Sequence, residues 1–292
     1  MEIQDERPRV EIPLECVGFR GIRKRILVHG GGGTTLVASI DVCVGLPPTQ
    51  RGAHLSRNYY AILEVVGEAE GDESIESFLS KIASRLMEKH PYATRAVVEA
   101  STNYFVDPGG CVKPGEEPVD VRVRVERTRE RESWTVQVSV YGMTACPSAQ
   151  QTLMEMLGHN LRAGPTHSQK ARLTLTVTVS PGPLVRIERL ARAAFKAFSA
   201  PARSVLRRVD EALLVLRAHE NPKLAEDVVR DALVEAARVL EDLGYGDETV
   251  ISAEVESYES IHPQNVVARA TLTLGELRAL LRRPDGDLGE NH

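Results

Sequence analysis

A cysteine and a histidine stand out because each lies where a predicted β-strand begins or ends. Cys146 follows an alternating apolar run at residues 133–140, and His167 precedes a second such run at 172–179. Alternating apolar and polar residues predict half-buried strands, and Pro147 ends the first one because proline has no backbone N–H for the sheet. A thiol and an imidazole at one sheet edge can serve as a metal site or a nucleophile site, and a purely structural pair is the alternative.

A carboxylate and an imidazole form a second group at the end of another predicted strand. Glu259 and His262 are three residues apart, so a regular strand would put them on opposite faces. Pro263 predicts a break in the strand that lets both side chains face one ion, whereas an exposed polar pair is the other interpretation. Together with the thiol and the first imidazole, they offer the mixture of soft and hard ligands that Zn²⁺ or Fe²⁺ accepts.

Polar and arginine-rich segments supply groups that can bind an anion. The segment 46–58 carries His54, Ser56 and Arg57, which can bind phosphate or polarise a substrate. Arginines also cluster at residues 20–25 and 203–208. Because the net charge is −5, a dedicated nucleic-acid binder is not expected. The clusters therefore predict either an anionic small-molecule ligand or solvated surface charge.

The elements that position these residues follow an order that occurs twice. The predicted strands are 34–44, 59–67, 95–101, 119–126, 134–143, 172–179, 249–257 and 266–273, and the predicted helices are 72–90, 148–161, a broken region at 184–243, and 275–283. Residues 1–33 are expected to be mostly irregular. Two strands, a helical segment and two further strands, repeated once, predict an α+β fold with modules at residues 1–128 and 129–292 rather than a parallel α/β fold.

The composition is typical of a soluble globular protein. The chain has 292 residues and 42% apolar content, which suffices for a hydrophobic core. No stretch reaches the roughly 18 apolar residues of a membrane span, and the polar N-terminus differs from a signal peptide, so we expect a cytoplasmic protein with no membrane partner. The cysteines lack CxxC spacing and are expected to be free thiols; they are Cys16, Cys43, Cys111 and Cys146.

Six short motifs occur in a fixed order between residues 51 and 262. They are Arg-Gly-Ala-His-Leu-Ser-Arg at 51–57, Ala-Cys-Pro-Ser-Ala-Gln at 145–150, Thr-His-Ser-Gln-Lys at 166–170, Leu-Arg-Arg-Val-Asp-Glu at 206–211, a segment beginning Glu-Asn-Pro at 220–231, and Glu-Ser-Ile-His at 259–262. In combination they resemble the metal-dependent GTP cyclohydrolases of the bacterial IB type and their archaeal relatives that start methanopterin synthesis. The resemblance implies tandem tunnelling-fold modules, which are antiparallel sheets with helices between the second and third strands, and a homotetramer.

The resemblance also implies roles for individual residues. The family's metal positions, which would hold one Fe²⁺ per active site with Mn²⁺ or Zn²⁺ as alternatives, are matched by Cys146, His167, Glu259 and His262. Glu211 matches the glutamate that accepts hydrogen bonds from the N–H groups of guanine. The implied catalytic residues are His54, Cys146 and His167, and the implied substrate-binding residues are Glu211 and Ser56. Arg57, Arg207 and Arg208 are candidate partners of the triphosphate because guanidinium groups bind phosphate bidentately, and surface salt bridges are the alternative.

The implied reaction opens the imidazole ring of GTP and releases formate. A divalent ion would lower the pKa of the water that attacks C8 of the guanine. In the archaeal branch the products are 7,8-dihydroneopterin 2′,3′-cyclic phosphate and pyrophosphate, whereas the bacterial enzymes form 7,8-dihydroneopterin triphosphate.

Two positions depart from the family pattern. Lys196 stands where relatives carry a further acidic metal ligand, and Gln264 stands where they usually carry a second histidine. The interval from Cys146 to His167 is also longer than in the bacterial enzymes, which leaves His159 as another candidate ligand. Two alternatives therefore stay open: an enzyme of this fold acting on a different purine or pterin, and a non-catalytic paralogue that has lost the metal site.

Overall fold

The computed structural model describes residues 2–28, 34–68, 74–109, 115–158 and 163–282. A short 3₁₀-helix at Ile3–Asp5 comes first. The strands are β1 (Leu14–Val28), β2 (Thr34–Leu46), β3 (Ala96–Val106), β4 (Glu117–Arg127), β5 (Glu132–Ala145), β6 (Ser168–Val179), β7 (Ala200–Pro201), β8 (Val250–Ser257) and β9 (Val266–Thr273). The helices are α1 (Leu55–Glu68), α2 (Ile75–Lys89), α3 (Pro147–Leu157), α4 (Ile187–Ala197), α5 (Arg208–Glu220), α6 (Ala225–Asp242) and α7 (Leu274–Leu281).

The chain divides into two compact units. Unit 1 comprises residues 1–104, 120–136 and 179–184, and unit 2 comprises residues 105–119, 137–178 and 185–292. In each unit two long strands precede the main helices and two strands follow them or end the unit, so the structure is α+β with antiparallel strand pairs. The predicted boundary between residues 128 and 129 stays a prediction.

Unit 1 is built on the antiparallel strands β1, β2 and β3, with β4 next in order. Helix α2 shows the expected amphipathic pattern, and the Ser74 side chain caps it by accepting a hydrogen bond from the N–H of Ser77 at 3.1 Å. Its apolar face is buried, and it packs beside α1. The prediction of a helix at 72–90 is confirmed.

Two predictions of secondary structure in unit 1 are wrong. Residues 14–28 form the long strand β1, although the first 33 residues were expected to be mostly irregular. The charged residues of this run hide the strand pattern, and pairing with β2 along most of its length fixes the extended backbone. The segment expected as a strand at 59–67 lies in helix α1. Its buried residues have the 3.6-residue period of a helix face; they are Asn58, Ala61, Ile62 and Val65.

A disulfide joins Cys16 of β1 to Cys43 of β2, so the prediction that these two thiols are free is wrong. Their Cα atoms are 5.2 Å apart because β1 and β2 pair in antiparallel fashion, with Gly18 opposite Cys43. The pairing could not be foreseen while β1 was taken as irregular. Cys146 is a free thiol, and Cys111 lies outside the described residues.

Unit 2 places the candidate site residues around an antiparallel sheet. Strand β6 pairs with β8, and β8 pairs with β9, while the short β7 pairs with β5. Helices α4 and α6 pack on each other, and α6 also covers β8 and β9. The core is formed by alternate strand residues and by the inner faces of these helices; it includes Val138, Val140, Leu173, Leu175, Ile251, Val255, Leu190, Ala194, Val228 and Ala232.

Gly142 of β5 allows the closest approach between this sheet and the segment that follows α4. A Cβ atom added at Gly142 would lie 2.1 Å from Cγ of the buried Phe198 ring. Only glycine therefore fits there, and the contact holds Ala200 and Pro201 against β5 directly before the arginine-rich segment. Within the described part of the chain, no helix combines the length and apolar content that a membrane crossing needs.

Candidate active site

Cys146 and His167 lie next to each other because their backbones are hydrogen-bonded. Strand β5 ends at Ala145 and α3 begins at Pro147, so Cys146 is the N-cap residue. Its N–H donates to the carbonyl oxygen of His167 at 3.1 Å, and the Thr166 hydroxyl donates to the carbonyl oxygen of Cys146 at 2.6 Å. Cys146 Sγ accepts only a 3.4 Å bond from the Ala149 N–H. The thiol is therefore half-buried, free and positioned at a helix N-terminus.

A glutamine links His167 to Glu259. Strand β6 pairs Ala171 with Ser257, and the same register places Gln169 opposite Glu259. His167 Nδ1 lies 3.0 Å from Gln169 Oε1, and Gln169 Nε2 donates to Glu259 Oε1 at 3.2 Å. The Ser257 hydroxyl also donates to Glu259 Oε1, at 2.8 Å.

This arrangement selects one tautomer of the imidazole. An amide oxygen can only accept a hydrogen bond, so His167 Nδ1 carries the proton that it donates to Gln169. The lone pair then resides on Nε2, which is the arrangement found in histidine ligands whose other nitrogen donates to a second group. His167 is thus oriented as a ligand or as a base through Nε2.

The described residues hold no group of three His, Cys, Asp or Glu side chains close enough to share an ion. His262 lies on the exposed connection between β8 and β9, three residues after Glu259. The chemistry of the donor set nevertheless fits a divalent transition metal, because a free thiol and an oriented imidazole lie on adjoining residues. His159 lies outside the described residues.

Glu211 lies in an open groove of about 500 Å³ along α5. Glu211, Val215 and His219 share one face of the helix at spacings of four residues, and Arg208 and Ala163 also line the groove. Asp210 and Glu211 are in the first turn of α5, where the helix dipole stabilises carboxylates. The groove thus combines a carboxylate, an arginine and an imidazole over an apolar floor. Arg207 is the exposed N-cap residue of the same helix.

Arg203 fixes the segment that leads into α5. Its side chain is 2% exposed and donates to the carbonyl oxygens of Gly109 at 2.6 Å and Gly115 at 2.8 Å. It also pairs with Asp107 Oδ1 at 3.2 Å. The Gly109 N–H and then Arg203 hold the pKa of the Asp107 carboxyl below its usual value. Arg203 therefore holds in place the segment that leads to Arg207 and Glu211.

His54, Ser56 and Arg57 belong to unit 1 and lie at the start of α1. His54 is buried, with Nδ1 2.8 Å from Glu2 Oε2 and Nε2 2.9 Å from Asp5 Oδ1. The bond to His54 is the main reason why the pKa of Asp5 lies below its usual value. Ser56 is exposed, and Arg57 Nη1 donates to the Lys89 carbonyl oxygen at 3.0 Å. The end of the 46–58 segment is thus a helix start, and its His54 is held by two N-terminal carboxylates.

Lys196, at the position of an acidic ligand in relatives, is 65% exposed. Its Nζ lies 3.4 Å from Glu235 Oε2 on α6. The ammonium therefore has a carboxylate partner on a neighbouring helix.

Sequence reasoning missed three polar residues that shape this site. Gln169 orients His167, and Arg203 anchors the segment that leads into α5. Gln150 is a buried residue of α3 whose side chain donates to the Gly164 carbonyl oxygen. Gln169 follows His167 by two residues, and residues two apart share a face of a strand, so this spacing was a usable signal. Gln150 and Arg203 gave none, since their partners are backbone carbonyls far away in the sequence.

Comparison with solved structures gives the class of fold. The uricase from Arthrobacter globiformis superposes with a TM-score of 0.54 at 9% identity, covering 97% of this chain and 98% of that chain. The uricase from Bacillus fastidious gives 0.55 at 9% identity, covering 93% and 97%. At this identity the likeness shows the fold alone, and these neighbours are tunnelling-fold proteins.

Sequence comparison gives the family. A family model described as type I GTP cyclohydrolase folE2 matches residues 1–268. GTP cyclohydrolase MptA of Aeropyrum pernix is 43% identical over 286 residues, covering 97% of this chain and 99% of the relative. GTP cyclohydrolase MptA of Methanobrevibacter smithii is 30% identical, covering 96% and 98%. This chain belongs to the type I GTP cyclohydrolase folE2 family, as the six motifs predict.

Proposed function

We propose that this protein is a metal-dependent GTP cyclohydrolase that opens the imidazole ring of GTP, releases formate and forms 7,8-dihydroneopterin 2′,3′-cyclic phosphate and pyrophosphate. Family membership and the relatives named MptA support the GTP cyclohydrolase reaction. The observation that carries the site assignment is the thiol of Cys146 beside His167, whose Nε2 is freed by the bond from Nδ1 to Gln169. The cyclic product is the finer part of the proposal.

The groove on α5 is the proposed guanine site. Glu211 would accept hydrogen bonds from the N1–H and the 2-amino group of guanine, because a carboxylate can take two parallel donors. Arg208 lines the same groove and Arg207 precedes it. Both guanidinium groups would bind the triphosphate, as bidentate contacts favour arginine at phosphate.

We propose Fe²⁺ as the resident ion, with Mn²⁺ or Zn²⁺ as alternatives. Cys146, His167 and His262 would hold it, and Glu259 would act as a ligand or as a base behind His167. Such an ion supplies a water of lowered pKa for attack at C8. Gln169 accepts the hydrogen bond from Nδ1 of His167 and donates to Glu259, which also accepts from Ser257. The charge of Glu259 therefore stabilises the Gln169 amide that orients His167.

The assembly and location form a separate part of the proposal. Two tandem tunnelling-fold modules, a homotetramer and a cytoplasmic location are what the family resemblance and composition favour. The antiparallel strand pairs and the helices between the second and third strands of each unit support the modular interpretation. Light scattering of the purified protein tests the subunit number, and a dimer or monomer at working concentration would contradict the tetramer.

The activity is tested without oxygen, with GTP and Fe²⁺, by measuring formate and identifying the pterin by mass spectrometry. We expect formate release and the cyclic phosphate product; a triphosphate product would instead assign the bacterial type of reaction. If folded protein releases no formate with iron, manganese or zinc, the non-catalytic alternative replaces the proposal.

The ligand assignment has its own test. His262→Ala should lose bound metal and activity while its circular dichroism stays unchanged, because the residue is exposed. Gln264→Ala, at another exposed position of the same connection, is the matched control and should keep the metal. Full metal content in His262→Ala would show that the assignment of this ligand is wrong.

A further inference from the structure

Gln150 on α3 has both protons of its side-chain amide committed to two distant carbonyl groups. Its Nε2 donates to the Gly164 carbonyl oxygen at 2.8 Å and to the His219 carbonyl oxygen at 2.8 Å. The side chain is only 7% exposed. A carbonyl group that is shielded from water and loses its donor costs free energy. The two bonds therefore hold the Gly164 and His219 backbones in fixed positions relative to α3.

The three elements joined by this amide are those that carry the candidate site. The Gln150 N–H donates to the Cys146 carbonyl oxygen at 3.2 Å, so the amide is one helical turn from the thiol. Gly164 precedes His167 by three residues, and His219 lies on the same face of α5 as Glu211. One side chain thus ties the thiol helix, the histidine segment and the guanine groove together.

Close packing supports the same contact. A Cβ atom added at Gly164 would lie 2.7 Å from Met154 Sδ and 3.0 Å from Gln150 Cγ. The backbone before His167 therefore lies directly on α3, and a larger residue at Gly164 would require the Met154 side chain to move. Movement of α3 relative to this segment would break both the packing and the hydrogen bond.

We propose that Gln150 is a positioning residue that sets the placement of the Glu211 groove relative to the Cys146–His167 pair. This inference rests on the proposed function, which places the N1–H and 2-amino group of guanine at Glu211 and C8 of guanine at the Cys146–His167 pair. Neither the groove nor the thiol–imidazole pair uses Gln150 to contact a ligand. Removing the amide should therefore leave the groove able to bind GTP and the Cys146–His167 pair able to bind metal, while the position of one relative to the other is no longer fixed.

The decisive variant is Gln150→Met, which keeps the length and volume of the side chain and removes both donors. We expect kcat to fall about tenfold or more, since small misplacements of reacting groups are costly. The dissociation constant for GTP, measured by titration without added metal, and the metal content should each change less than about threefold. A role in folding alone would instead lower the fraction of active protein and leave its kcat unchanged.

Gln151→Met is the matched control, because Gln151 is the adjacent residue of α3 and its exposed amide donates to Glu155 on the same helix, at 2.9 Å. It should keep the wild-type kcat. Gln150→Glu provides a second variant in case Gln150→Met unfolds: a carboxylate has no donor, so its kcat should be low at neutral pH and recover partly at acid pH, where the protonated acid donates one bond.

Hydrogen exchange gives a measurement that does not depend on turnover. In Gln150→Met, peptides covering 163–169 and 214–220 should both exchange faster than in Gln151→Met, because one amide holds both segments. If only one segment or neither responds, the tie is absent and the inference is wrong. If the wild type releases no formate, the proposed function fails, and this measurement still decides the tie. If the wild type is active and Gln150→Met has the same kcat, the positioning role fails alone.

Discussion

His90 in unit 1 is held in its neutral form by the groups around it. The residue is fully buried, with Nδ1 2.7 Å from the Tyr92 hydroxyl and Nε2 2.7 Å from Asn58 Oδ1. The Tyr92 oxygen already accepts the N–H of His54 at 3.2 Å, so its own proton is free to be donated to Nδ1. Nε2 then carries the ring proton and donates to Asn58. A second ring proton, on Nδ1, would displace the hydrogen bond that the Tyr92 hydroxyl donates.

Burial lowers the pKa of His90 from 6.5 to about 4, and the nearby Arg57 charge adds to the effect. Because the unfolded chain binds this proton at its ordinary pKa and the folded chain does not, unfolding takes up a proton below that pKa. The contribution to stability is complete above pH 6.5 and is lost as the pH falls towards 4. The loss amounts to about 3 kcal/mol at pH 4.

Urea unfolding at pH 7.5 and pH 4.5 measures this loss. We expect His90→Gln to be less stable than the wild type at pH 7.5, because the packing and the Tyr92 bond change, but to lose less stability on acidification. Tyr92→Phe removes one hydrogen bond and leaves the burial, so it should retain most of the wild-type pH dependence. An unchanged pH dependence in His90→Gln would refute the assignment of the titration to His90.

Three further results are expected. Arg203→Met should lower the free energy of unfolding by about 3 kcal/mol, since a side chain that is only 2% exposed loses its charged hydrogen bonds to two carbonyl oxygens and to Asp107. Arg230→Met, on an exposed ion pair, should change it by less than about 0.5 kcal/mol; equal urea midpoints would contradict the anchor. Glu211→Gln should weaken GTP binding at least about tenfold in a titration, and Asp210→Asn, outside the groove, should not. Lys196→Glu should leave metal affinity unchanged, because its ammonium already pairs with Glu235; tighter binding would show that this position faces the ion.

Much of the fold follows from the spacing of apolar residues and from the residues that end strands and helices. The strands β5, β6, β8 and β9 alternate apolar and polar residues, and their bounds lie within a few residues of those predicted. Helix α1 was mistaken for a strand because Tyr59, Tyr60 and the valines that follow favour strands. The tertiary contacts decide for a helix, since Ala61, Ile62 and Val65 face the core together.

The site was predictable only where chemistry-bearing residues fall at element ends. Cys146 and His167 meet as expected because the strand ends that carry them adjoin. The joint placement of Glu259 with Gln169 depends on the β6–β8 register, which single-strand periodicity does not specify. The carboxylates that occupy His54 come from the N-terminal 3₁₀ turn, a segment without periodic signal.

The Cys16–Cys43 disulfide joins residues 27 positions apart and closes the chain between them into a covalent ring. A protease that cuts one peptide bond inside this ring opens it without dividing the molecule. Such nicked protein would migrate as a full-length chain on a non-reducing gel and would separate into two fragments only after a thiol is added. Integrity of the N-terminal part of this protein therefore has to be judged on reduced samples.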